Sequence, residues 1–177
     1  AFDMGPIPGA DAALPHVLTP EQVLVEGKPV PGRRVAVLDH EGYFVGPGVA
    51  ERLRLDGHEV AIVTGHDHVA PVMDQTLEGP RLRRHLHGLG VAQHRGIAVS
   101  RIAPGGLVGE DEHGAPWELE ADAVVLVTQR VPSDALFAEL DADRDALAGE
   151  GVETLLRVGD CVAPRLLADA IFDGHRV

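Results

Sequence analysis

Residues 34–63 read RVAVLDHEGYFVGPGVAERLRLDGHEVAIV. Arg34 to Leu38 is an apolar run of the buried-strand type. Asp39 to Gly46 reads as a turn. The spacing then predicts a helix from about Pro47 to Asp56, with Val49 and Leu53 four apart on one face. Gly57 stands where a helix ends in the left-handed conformation, and Glu59 to Val63 is a second strand. Strand, turn, helix, glycine and strand in about thirty residues make the βαβ unit of a parallel sheet.

A dinucleotide-binding unit of this kind carries G-x-G-x-x-G at its first turn, so that the backbone folds tightly and a pyrophosphate reaches the helix N-terminus. Here Asp39 and Glu41 stand at the first two glycine positions. Their charge and bulk oppose a pyrophosphate. The third glycine matches Gly46 only if one extra residue is allowed. The second strand should end on an acidic residue that binds the adenosine ribose, but it ends Val63-Thr64-Gly65. The unit therefore reads as a structural βαβ without NAD(P). The rival reading is a dinucleotide site of altered geometry.

Outward from this unit, the first thirty or so residues are rich in Pro and Gly and read as a connection. One short helix sits in them, with Thr19 as cap, Pro20 first and Gln22 completing a capping box. After the unit, His66 to Glu78 is irregular. A helix is expected from Gly79 to Leu89, with strands at Val91 to Gln93 and Ile97 to Ile102. A hairpin joins Gly106-Leu107-Val108 to Trp117-Glu118-Leu119 through Glu112-His113-Gly114. The strand Ala123 to Val127 follows, then acidic helices at Ser133 to Leu140 and Asp143 to Ala148. A strand Thr154 to Val158 is expected to lead into Gly159-Asp160. A last helix from near Pro164 is expected to bury Leu166, Leu167, Ala170 and Ile171. The fold class is α/β: a Rossmann-like three-layer unit with a β-hairpin or meander insertion.

The 177 residues have room for one domain, or one domain and a piece of another. A net charge of −13 argues against a nucleic-acid surface and an anionic membrane surface. Apolar stretches are strand-length, well short of the roughly 20 residues of a membrane span. The N-terminus has no secretory pattern, and a cytoplasmic location is expected. The opening Ala1-Phe2-Asp3-Met4-Gly5-Pro6 and the closing Arg176-Val177 read as running sequence, so a longer parent protein is expected. Cys161 is the only cysteine. It permits no internal disulfide and no cysteine-built zinc or iron–sulfur site within the chain.

Leu155-Leu156-Arg157-Val158-Gly159-Asp160, followed by a helix, is the arrangement with which two-dinucleotide-domain flavoproteins hold their cofactor. Gly159 lets the cofactor chain pass, Asp160 accepts from a sugar-alcohol hydroxyl, and the next helix offers free N–H groups. Arg165 adds a charge for a phosphate. The plain alternative is a turn in which Asp160 caps the helix.

Taken in order, several segments resemble the C-terminal part of trimethylamine, dimethylamine and histamine dehydrogenases. They are His16 to Val23, the Tyr43-Phe44 turn before Pro47, Gly57 to Val63, Val125 to Arg130, Val158 to Ala170, and Gly174 to Val177. The resemblance covers nearly the whole chain. It implies a parent with an N-terminal (β/α)8 barrel like old yellow enzyme, carrying FMN and a [4Fe–4S] cluster. It also implies FAD-like and NAD(P)H-like domains, the FAD-like one associated with ADP in the amine dehydrogenases. Residues 1–31 would then leave the FAD-like domain and 32–131 form the NAD(P)H-like unit. Residues 132–151 would be an acidic helical connection, and 152–177 would return to the FAD-like domain.

ADP or FAD is accordingly expected at Gly159 and Asp160, with Arg165 beside them. Catalytic residues, FMN and the cluster belong to the absent part, so this chain is expected to be non-catalytic alone. Expected partners are the barrel and FAD-like domains of the parent, a second copy in a homo-oligomer, and an electron-acceptor protein. Two alternatives remain. One is the NAD(P)H- and FAD-binding part of a 2,4-dienoyl-CoA reductase-like NADH:flavin oxidoreductase; the other is a free-standing interaction module.

Other groupings read as ordinary surface. His66-Asp67-His68 and His85-Leu86-His87 suggest a metal only on a strand. On the predicted helix, His85 and His87 diverge by about 200 degrees, so no metal site is expected. Arg81, Arg83 and Arg84 read as a solvated face pairing with local carboxylates, the alternative being a phosphate or docking patch. Cys161 reads as a small buried side chain, and Trp117 and Tyr43 as packing residues.

Overall fold

The computed structural model describes residues 7–177; the expectations for residues 1–6 lie outside the described residues. Five strands form a parallel sheet in the order β1-β8-β2-β3-β4: Val17–Leu18 (β1), Arg34–Asp39 (β2), Glu59–Val63 (β3), Ala92–His94 (β4) and Ala123–Val127 (β8). Alternation along these strands sends side chains to opposite faces. Val35, Val37, Ile62 and Val125 join one apolar cluster with Val49, Leu53 and Leu86 of the helices Val45–Leu55 (α2) and Gly79–Gly88 (α3). Ala36, Leu38, Val63 and Val124 join a second with Val99, Ile102 and Leu107.

That second cluster packs the parallel sheet against an antiparallel sheet of Ala98–Ala103 (β5), Gly106–Glu110 (β6) and Pro116–Glu120 (β7). Helices, parallel sheet and meander make the three layers of an α/β fold. At the sheet's lower edge, Asp122 accepts from the backbone N–H groups of Arg33 and Arg34 and pairs with the Arg34 guanidinium. Those contacts hold its carboxyl well below the usual range.

The predicted cap of the first helix, Pro20–Leu24 (α1), forms: Thr19 and Gln22 bond reciprocally. Gly57 closes α2 with φ +97°. The start of α2 differs from the expected Pro47: it begins at Val45 and holds Gly46 and Pro47 in its first turn. A proline costs nothing there, since first-turn N–H groups have no partner within the helix.

The chain divides into two units, residues 1–128 and 129–177. The second unit carries Ala135–Asp141 (α4), Arg144–Gly149 (α5) and Leu167–Arg176 (α6). Arg157 pairs with Asp134 and lies over the Phe137 ring. Several expectations fail in this unit. Thr154 to Val158 forms no ladder, because a strand needs a neighbour and none is present among the described residues. The last helix begins at Leu167 rather than near Pro164, where the Asp169 carboxylate accepts from the Leu166 N–H. It buries none of its residues, and Leu167 and Ile171 are 78% and 53% exposed. Only Gly159 is buried in the unit. A stretch this short has too little interior to cover its own apolar side chains. No helix among the described residues is long and apolar enough to cross a membrane.

Candidate functional site

The βαβ turn lies where ligands bind in open α/β sheets, at the carboxyl ends of the strands beside the point where strand order reverses. Here β2 has β3 on one side and β8 on the other. Asp39 ends β2 and is completely buried. One carboxylate oxygen, Oδ1, accepts from the backbone N–H of Glu41 at 3.1 Å and of Gly42 at 3.0 Å. The other oxygen, Oδ2, lies against Gly46 in the first turn of α2 and has no hydrogen-bond partner among the described residues. Burial pushes the Asp39 carboxyl up, and the two backbone N–H groups and His66 oppose that rise.

The sequence placed Asp39 facing an incoming phosphate. Instead it is turned inward and takes the N–H groups that such a loop would offer to one. The close approach of helix to strand, the role of the third fingerprint glycine, falls to Gly46. Around this turn, His40 is held below its ordinary range by burial and by His66, and the His66 ring packs on Gly42. Thr64 is buried, and its hydroxyl accepts from the His66 N–H at 3.2 Å. The position for a ribose-binding carboxylate is therefore a small, internally satisfied side chain.

In the second unit, Gly159, Asp160 and Arg165 do come together. Gly159 adopts φ +67° in the 3-10 turn Gly159–Cys161, a conformation costly for any residue with a Cβ. Its N–H donates to Asp173 Oδ2 at 3.3 Å. Asp160 is exposed, and its Oδ1 accepts from the Arg165 N–H at 3.4 Å. The Arg165 guanidinium, which the sequence offered to a phosphate, is ion-paired with Asp173. Asp173 was missed. The signal available was its place four residues after Asp169, on the same face of α6. Cys161 is half-exposed rather than buried, with its Sγ donating to the Val158 carbonyl at 2.9 Å.

One histidine of each pair has an acidic partner. His68 Nε2 lies 2.7 Å from Asp74, and His85 Nε2 lies 2.9 Å from Glu51. Arg83 pairs with Asp74 at 2.9 Å, as expected for a local carboxylate. Tyr43 stacks edge-on with Phe44 and Trp117 with His94.

The profile of the OYE-like second alpha/beta domain family matches residues 18–128. Dimethylamine dehydrogenase from Hyphomicrobium sp. (strain x) is 37% identical over 97% of this chain, which spans 26% of that protein. The solved structure of histamine dehydrogenase from Rhizobium sp. 4-9 superposes with a TM-score of 0.89 at 29% identity, over 98% of this chain and 25% of that one. That of 6-hydroxypseudooxynicotine amine oxidase from Pseudomonas geniculata N1 gives 0.86 at 35% identity, again over 98% and 25%. This chain thus spans about a quarter of the length of these relatives. The chain belongs to the OYE-like second α/β domain family.

Proposed function

We propose that this member of the OYE-like second α/β domain family is a non-catalytic part of a larger flavin- and iron–sulfur-dependent oxidoreductase that acts on an amine. Its βαβ unit keeps the shape of an NAD(P)H domain without binding that cofactor. The observation that carries this reading is Asp39, buried under α2 and bonded to the N–H groups a pyrophosphate would need. The similarity to dimethylamine dehydrogenase and histamine dehydrogenase supports the substrate class.

The residues present do not fit an iron–sulfur cluster, since Cys161 is the one cysteine and such clusters take several thiolates. The cluster and the FMN belong to the rest of the parent. A nucleotide such as ADP fits better at Gly159 and Asp160. The positive φ of Gly159 and the exposed Asp160 carboxylate suit a passing diphosphate and a sugar hydroxyl, while Arg165 would first have to leave Asp173. On this reading residues 1–31 and 152–177 complete an FAD-like domain, 32–131 form the degenerate unit and 132–151 connect them.

The test is the natural gene product. Intact mass is expected at roughly four times that of this chain, from the 26% span, with FMN and iron–sulfur absorbance in the purified protein. A product of this length alone, without either absorbance, would leave the interaction-module reading in its place. Deletion of residues 152–177 from the full-length protein should release bound ADP; retention of ADP would remove the Gly159 site.

A further inference from the structure

A second site lies away from both regions, in a groove of about 770 Å³ between α3 and the edge strand β4. Pro80, Arg83, Arg84 and His87 are spaced i, i+3, i+4 and i+7 and make one face of α3. Opposite them Gln93 and Arg95, two apart on the strand and its continuation, point the same way. Gln93 ties the walls together by donating to the Arg83 carbonyl at 3.1 Å. Val69 and Val91 form an apolar floor.

Asp74 neutralises Arg83 and binds His68, which leaves Arg84 and Arg95 as exposed cations with no carboxylate within ion-pair distance among the described residues. The chain carries 28 acidic residues against 15 Lys and Arg. Two unneutralised guanidiniums on one groove therefore run against its overall charge. Guanidinium forks match phosphate oxygens, and the volume falls in the range of small-ligand pockets, about 300–1,000 Å³.

We propose that this groove binds a small organic phosphate, its phosphate held between Arg84 and Arg95 and its apolar body on Val69 and Val91. The edge strand and α3 supply the walls, independently of the Gly159 site.

Calorimetry of phenyl phosphate, and separately of inorganic pyrophosphate, into the chain at low salt tests it, with R84Q/R95Q and, as a charge control on the exposed Arg101 of β5, R101Q in parallel. Phenyl phosphate is expected to saturate, pyrophosphate to compete with it, and R84Q/R95Q to weaken it by about tenfold or more while R101Q does not. Both arginines are exposed, so the double variant should fold; circular dichroism checks this. Three results would overturn the proposal. The first is the absence of saturable phenyl phosphate binding, and the second is binding unchanged in R84Q/R95Q. The third is equal weakening in R101Q, which would show a general loss of positive charge rather than a site in the groove.

Discussion

Gly46 and Asp39 approach so closely that a Cβ on Gly46 would stand 2.7 Å from the Asp39 Cγ. The first turn of α2 therefore packs directly on the Asp39 carboxylate, at the place where related folds admit a phosphate. Replacing Gly46 by Ala forces the buried Asp39 or the first turn of α2 to move. The expected cost is about 1–3 kcal/mol, typical of overpacking a filled interior, and denaturant unfolding would read it. An unchanged midpoint would show that the contact is loose.

Asp39 also predicts a pH dependence. Its carboxyl is raised in the folded chain, so on titration upward the unfolded chain ionises first. Stability is therefore lost as pH rises from about 4, the unfolded carboxyl pKa, through the folded value. Asp39→Asn removes that loss, because the amide oxygen can still accept from Glu41 and Gly42 while no charge is buried. The urea midpoint of Asp39→Asn relative to the parent should grow more favourable as pH rises above about 4. A constant difference would mean that Asp39 titrates normally.

In the second unit Asp173 competes with any nucleotide for Arg165 and for the Gly159 N–H. Asp173→Asn removes the charge that holds Arg165. In the full-length protein the variant should bind ADP more tightly, by about threefold to tenfold, the worth of one freed charge-assisted contact. Weaker binding would show that Asp173 organises the site rather than occupying it.

Much of this was legible because it is local. The βαβ unit announced itself through Val35, Val37, Val49, Leu53, Val60 and Ile62, whose periods of two and near four give strand, helix and strand and whose side chains meet in one core. The Thr19–Gln22 box was likewise written in adjacent residues. What escaped depended on partners far away or absent. Thr154 to Val158 has the composition of a strand, but a ladder requires a neighbour that the pattern of one segment does not reveal. Leu167 and Ile171 have the right spacing for burial and nothing in their unit to bury them. Asp39 was visible as a misfit among expected glycines. Its inward turn was not, because that rests on where Gly46 comes to lie. Arg84 was noticed on its helix, whereas its counterpart Arg95 lies across a groove that exists only once α3 and β4 are packed.

The same turn separates the amine-dehydrogenase reading from the reductase reading. If NAD(P)H delivered hydride through this unit, its turn would be tuned to the cofactor, and Asp39→Gly with Glu41→Gly would change turnover of the full-length enzyme with NADPH. On the present account the pair leaves amine-dependent turnover per folded enzyme unchanged and lowers only stability. A loss of turnover at full occupancy of folded protein would favour the reductase.

The most direct test is calorimetry of NADH and of NADPH into the R84Q/R95Q chain, in which the α3–β4 groove no longer contributes. With Asp39 filling the turn, neither cofactor should give a saturable heat at micromolar concentration. Micromolar binding of either one would contradict the claim that this dinucleotide fold has lost its dinucleotide.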